Sequence, residues 1–259
     1  MHVHHAIGAA RRPSEDSSTT RAFVVRELML WAAVYPLYLA VRGWSIADPA
    51  HAFDDAWRVI GWEHATGLFH EERVQELLEP LHGFFSAYYM VGFGPVVAST
   101  LVWLALSRRR LYVELRTLLF ISLAIALVVY VVFPTAPPRL VPGLGIADTV
   151  GLAGHDSGSF AGIRFDPYAA MPSLHVGWSL LVATAVYRAT ARTPLRILAV
   201  MHPVLMALAV TATGNHYLVD SLAGAAVAAL ALLATALVLR GGRATVTARP
   251  APAVASRRA

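Results

Sequence analysis

The sequence predicts an all-α integral membrane protein, a bundle of six spanning helices with amphipathic interfacial helices in the first outer connection. Three observations point there. Of 259 residues, 57% are hydrophobic and only 14% charged, with a mean hydropathy of +0.56, far from the composition of soluble domains. Charge-free runs long enough to cross a hydrocarbon core, which takes roughly 20 helical residues, recur along the chain. Arginine segregates between alternate connections.

The elements follow in order. Residues 1–20 lack apolar periodicity and read as a disordered cytoplasmic tail. The first span, between Glu27 and Arg42, is short and needs its flanking charges to snorkel while the helix extends on both sides. Ala50-His51-Ala52 has the small-x-small form of a cleavage site, so a secretory leader competes for this run. The connection 43–81 is too long for a turn and carries two amphipathic patterns. Phe53, Trp57 and Ile60 share one helical face, and Val74, Leu77, Leu78 and Leu81 another. With Trp44, Trp57 and Trp62 nearby, these helices belong on the membrane surface, either covering the bundle or gating it.

Five further spans are expected at 80–107, 117–138, 167–187, 197–219 and 221–239. The connections 107–116 and 188–196 are short and Arg-rich, while 135–168 is dense in Pro, Gly and Asp. Residues 241–259 form a second tail, leaving one membrane catalytic domain at 21–240.

Charge fixes the expected orientation. All 21 basic residues are arginine; with both termini cytoplasmic, 16 lie inside and 5 outside (Arg42, Arg58, Arg73, Arg139, Arg164). That is the plasma-membrane pattern of a multi-pass protein, not a nucleic-acid surface, despite a pI near 9.9. The chain has no cysteine, which excludes disulfides, thiolate metal sites and a Cys nucleophile.

The polar residues cluster at the outer ends of spans three to six. They are Arg139 in PTAPPRL, Ser173 and His175 in AAMPSLHVGW, and His216 with Asp220 in GNHYLVD. Gly214 and Asn215 form a turn and an N-cap, placing His216 in the first turn of the last span. Asp220, four residues on, lies about 6 Å deeper on the same face. An aspartate inside a span costs roughly 2.5–3.5 kcal/mol, so it needs a partner, and His216 is available. Alone, such a pair reads equally well as a structural contact. Pro172 at the first helical position of span four, followed by Ser173 and His175, supplies a second imidazole at the same depth.

Two imidazoles, a carboxylate, an arginine and two helix N-termini aimed at one spot are parts for phosphoryl transfer. The amide donors and Arg139 hold phosphate, with Ser173 beside it and Arg164 as a second cation. His216, held by Asp220, attacks phosphorus while His175 protonates the departing oxygen. The scheme needs no metal and no cofactor. Two histidines and a carboxylate also make a facial triad for iron or zinc, the competing reading. Of the other histidines, His202 reads as an interior group, and His51, His64, His70, His82 and His155 as surface residues.

These motifs resemble the type 2 phosphatidic acid phosphatase superfamily, with its Pro-Ser-x-His and His-x-x-x-Asp elements, over about residues 22–240. FPTAPPRL, PYAAMPSLHVGW and HYLVD further resemble the branch that includes inositol phosphorylceramide synthase. The resemblance implies a six-helix membrane fold and metal-independent catalysis through a phosphohistidine, with His216 as nucleophile, His175 as acid and base, and Asp220 as its orienter. Two positions depart from the phosphatase pattern. Val132 stands where a Lys precedes the Arg-Pro pair, with Leu140 after Arg139, and Ala209-Val210 stand where Ser-Arg precedes the histidine. The first reading is therefore a lipid phosphotransferase moving a phosphoryl-linked headgroup at the extracytoplasmic face. The alternative is a phosphatase acting on a phosphatidate- or isoprenyl-phosphate-type lipid; a non-enzymatic lipid transporter is the second. The expected partners are a membrane lipid and an alcohol or water acceptor.

Overall fold

The computed structural model describes residues 17–45, 49–151, 159–160, 163–164 and 168–247, and side chains within 21–40, 49–151 and 168–237. Both expected tails and Asp156, Asp166 and His155 fall largely or wholly outside these residues, as does the Arg164 side chain. The chain divides into two compact units, Met1–Val41 and Arg42–Ala259. The first is dominated by helix α1 (Ser17–Ser45), whose stretch Arg21–Ala40 is long and apolar enough to cross a membrane despite Pro36.

The second unit opens with α2 (Pro49–Thr66) and α3 (Glu71–Leu78). A short 3₁₀ turn leads into α4 (His82–Gly92), and Phe93 breaks the path before α5 (Gly94–Ser107). Then follow α6 (Arg109–Val132), α7 (Leu174–Ala189), α8 (Thr193–Ala212) and α9 (Leu218–Thr247). Between α6 and α7 the described residues hold a 3₁₀ turn, Pro138–Leu140, and a two-residue antiparallel pair, β1 (Ser159–Phe160) and β2 (Ile163–Arg164). The protein is thus a helical multi-pass membrane protein. Five stretches among the described residues have spanning length and hydropathy: Arg21–Ala40, Glu71–Ser107, Arg109–Val132, Thr193–Ala212 and Leu218–Leu237.

The expected fourth span, 167–187, is the exception. Helix α7 has 16 residues, about 24 Å, because residues 168–173 form a turn, a single bridge and a bend rather than helix. Their backbone is engaged elsewhere: Thr135 N donates to Tyr168 O at 2.7 Å, Ala170 N to Thr135 O at 3.1 Å, and Ser173 N to Asp220 O at 3.0 Å. Short as it is, α7 packs against α5, α6, α8 and α9. The boundary between the last two spans also moves. Helix α8 ends at Ala212 and α9 starts at Leu218, so the turn expected at Gly214-Asn215 is a loop over 213–217.

The amphipathic connection is helical as expected, but its buried face is different. On α2, Ala52, Asp55, Ala56, Val59, Ile60 and Glu63 are buried while Trp57 is exposed. Counting only apolar residues missed this face because two of its members are acidic. Leu77 and Leu81 are likewise exposed, and Val74 and Leu78 half-buried. The Ala50-His51-Ala52 triplet sits in the first turn of α2, with Ala52 fully buried.

Candidate active site

Three loop segments carrying the sequence motifs are tied together by backbone hydrogen bonds. Residues 133–139 pair with 168–170 through a parallel bridge between Thr135 and Ala169. Arg139 N donates to Gly214 O at 3.0 Å, joining the first segment to the third. Tyr217, fully buried, donates its hydroxyl to Ala136 O at 3.1 Å, and Tyr130 of α6 donates to Pro172 O at 2.9 Å. Gly214 has φ +66, and a Cβ there would fall 2.8 Å from Ile146 Cγ2 and 3.0 Å from Arg139 Cβ, so only glycine fits this turn.

This lacing brings the two histidines into contact. His216 Nε2 lies 3.3 Å from His175 Nδ1, with ring centroids 5.4 Å apart. His216 Nδ1 is 2.7 Å from Ala170 O and 3.5 Å from Asp220 Oδ2. A carbonyl can only accept, so Nδ1 carries the proton and Nε2 presents its lone pair to His175 Nδ1–H. Burial, reinforced by Arg139, pulls His216 down to about 4 even though the Ala170 carbonyl favours the protonated form. The ring is therefore neutral near pH 7. His175 is flanked by Tyr89 and Phe93, at centroid distances of 4.8 and 4.3 Å, and Phe93 leans on Trp178.

Several details differ from expectation. His216 precedes α9 rather than sitting in its first turn. Asn215 is not its N-cap; it accepts from Arg139 Nη1 at 2.5 Å and donates to Thr213 Oγ1 at 2.8 Å. Pro172 lies outside α7, which Ser173 caps, its Oγ accepting from Val176 N at 3.5 Å. Ser173 is fully buried, so its hydroxyl belongs to the helix. Asp220, also fully buried, takes Tyr217 N at 2.9 Å as its bonded donor and stands second to Ala170 beside the imidazole. The amide donors of α9 do not face an open site either: Leu218 N donates to Glu71 Oε1 at 2.8 Å and Val219 N to Glu63 Oε1 at 2.7 Å.

Arg139 is buried at the same junction. Its Nε is 3.8 Å from Asp148 Oδ2, and burial lowers its pKa from the ordinary arginine value against the pull of Tyr89 and Asp148. Of Arg164, only the backbone in β2 is described. His202 is interior as expected, its Nδ1 2.7 Å from the Tyr88 hydroxyl. Among the described residues no group of three His, Asp or Glu is arranged to hold a metal ion. The residues sequence reasoning missed are Ala170, Asn215, Asp148, Tyr89, Phe93, Glu63 and Glu71. A backbone carbonyl leaves no signal in a sequence, and Tyr89 and Phe93 lie inside the expected span 80–107 with nothing to mark them from its other apolar residues.

A family model described as the PAP2 superfamily matches residues 57–234, more than half the chain. The chain belongs to the PAP2 superfamily. It is an enzyme of that phosphatase class embedded in the membrane. The match covers the superfamily as a whole and does not single out the inositol phosphorylceramide synthase branch. It favours hydrolysis, expected as the alternative, over group transfer, expected first. Comparison with curated proteins gives no match. Among solved structures, the Aquifex aeolicus LpxE crystal structure is similar over 58% of this chain and 82% of that one, at 15% identity and a TM-score of 0.45.

Proposed function

We propose that the protein is a membrane lipid phosphatase that hydrolyses a phosphate monoester of the phosphatidate or isoprenyl-phosphate type. The observation that carries this reading is the 3.3 Å approach of His216 Nε2 to His175 Nδ1 while Nδ1 of His216 is held by the Ala170 carbonyl. The lone pair of one ring and the proton of the other face the same gap. Substrate entry parts the rings and places phosphorus between them.

His216 Nε2 then bonds to phosphorus, the P–O bond to the lipid breaks, and the lipid oxygen takes the His175 proton. Water next attacks the phosphohistidine and gives a proton back to His175, releasing inorganic phosphate and restoring His216. Arg139 is the cation for the phosphate oxygens. The segregation of arginine supports cytoplasmic termini and a site on the extracytoplasmic side of the plasma membrane. Of the six expected crossings, α7 is the one whose length falls short, and its buried place among four helices supports counting it as the sixth.

The test is phosphate release from dioctanoyl phosphatidate and from a short isoprenyl phosphate by purified protein, with diacylglycerol or inositol offered as acceptor. Stoichiometric inorganic phosphate is expected, and a headgroup-exchanged lipid as the main product would overturn hydrolysis.

A further inference from the structure

The first outer connection buries two carboxylates completely, Glu63 near the end of α2 and Glu71 at the start of α3. Glu63 accepts from Val219 N at 2.7 Å and Glu71 from Leu218 N at 2.8 Å. With Asp220 on Tyr217 N at 2.9 Å, three successive amides at the head of α9 end on three carboxyl groups. The first turn of a helix leaves its N–H groups without intrahelical partners, and its positive dipole end favours acidic groups there. The first of these amides belongs to the residue directly after His216.

We propose that Glu63 and Glu71 are positioning residues for His216, a carboxyl clamp that fixes the head of α9 so that the imidazole keeps its contacts with Ala170 and His175. This rests on the reading of His216 as nucleophile. A cover for the bundle needs apolar area, not two glutamates reaching backbone donors about 150 residues away in sequence. Glu71 is committed through both oxygens, since Oε2 accepts from His70 N at 3.0 Å. Glu63 Oε2 finds no donor, as befits an oxygen that carries a proton toward Glu71.

Two carboxyl groups in hydrogen-bond contact hold one proton between them, because buried like charges repel. Burial first, then the bond to Glu71, raises Glu63 to about 9. The titratable groups facing it are Glu71 from α3 and Tyr217 and Asp220 at the head of α9. Losing the proton adds a charge to this acidic group and loosens the clamp, so turnover falls on the alkaline side.

The experiment compares full-length wild type, Glu63→Gln, Glu63→Ala and Glu71→Ala. Phosphate release from dioctanoyl phosphatidate micelles is measured from pH 6 to 10, and amide hydrogen exchange is followed at Leu218 and Val219. Both alanine variants should lose about tenfold or more in kcat with KM within about twofold, as expected for a displaced nucleophile. Glu63→Gln should recover most of that loss and abolish the alkaline limb. Folded alanine variants with unchanged kcat, or a Glu63→Gln profile that keeps the limb, would overturn the clamp. If the alanine variants do not fold, the Glu63→Gln profile decides. Should wild type release no phosphate, the nucleophile reading fails on its own, and the clamp stands or falls on exchange: unchanged protection at Leu218 and Val219 in a folded alanine variant, or in wild type brought to pH 10, overturns it.

Discussion

A Cβ placed on Gly224 would lie 2.1 Å from the carbonyl oxygen of Ser173, so α9 meets the cap of α7 backbone to backbone. One turn along, a Cβ on Gly177 would lie 2.7 Å from Gly224 O. Small residues at both positions let the helices approach closely, as at interfaces inside membranes. His175 and His216 sit at the ends of these two helices, and the close crossing sets their separation. Gly224→Ala should therefore exceed the usual overpacking cost of about 1–3 kcal/mol, since the obstructing atoms are backbone. Thermal unfolding in detergent should show a lowered midpoint, and phosphate release should fall with it. A variant that matches wild type on both counts would refute this account of the crossing.

The membrane class, most of the helices and the convergence of His175, His216, Asp220 and Arg139 were legible because hydropathy and motif spacing are local. What was not legible depends on partners far along the chain. The head of α9 looked like an open anion site until Glu63 and Glu71 were seen to occupy its amides. Asp220 looked like the sole partner of His216, because a carbonyl such as that of Ala170 is present at every residue and marks none. The turn at Gly214-Asn215 was legible, but the start of α9 was not, because Asn215 has the form of an N-cap while its side chain is engaged by Arg139 and Thr213. The face Phe53-Trp57-Ile60 is only partly the buried one: Ile60 is buried and Trp57 exposed, because burying Asp55 and Glu63 rotates α2 about its axis.

Asp220→Asn separates capping from charge. The asparagine oxygen can still accept from Tyr217 N, and the His216 ring remains held by Ala170 O, so the productive tautomer survives. A loss in kcat of about tenfold is expected, well short of the roughly 10⁴-fold seen where a carboxylate alone sets the tautomer of a catalytic histidine. His175→Ala, which removes the proton donor, should cost about 10²–10⁴-fold. Steady-state rates on one phosphate ester rank the two, and a larger loss for Asp220→Asn would return the orienting role to the carboxylate.

Acid should destabilise the protein through His216. Its folded pKa of about 4 lies below the ordinary imidazole value of 6.5, so the unfolded chain binds the proton first. Stability is complete above about pH 6.5, declines as pH falls toward 4 and is flat below, a total on the order of 3 kcal/mol from this group. His216→Asn should show a shallower fall in unfolding midpoint between pH 6.5 and 4 than wild type. Parallel curves for the two proteins would remove His216 as the cause.

Arg139 is held by Asn215 and faces Asp148, so its charge is oriented and partly balanced before substrate arrives. Arg139→Lys keeps a positive charge but loses the planar fork that bonds Asn215 and phosphate together. It should raise KM by about tenfold and resemble Arg139→Ala more than wild type. Asp148→Asn removes the balancing charge while keeping a polar group of the same shape, so the guanidinium offers more of its field to an incoming phosphate. Inorganic phosphate should then inhibit more tightly than in wild type by a factor of about three to ten. Inhibition constants for the three variants decide the matter: weaker phosphate inhibition in Asp148→Asn would mean that the carboxylate aims the arginine rather than competing for it.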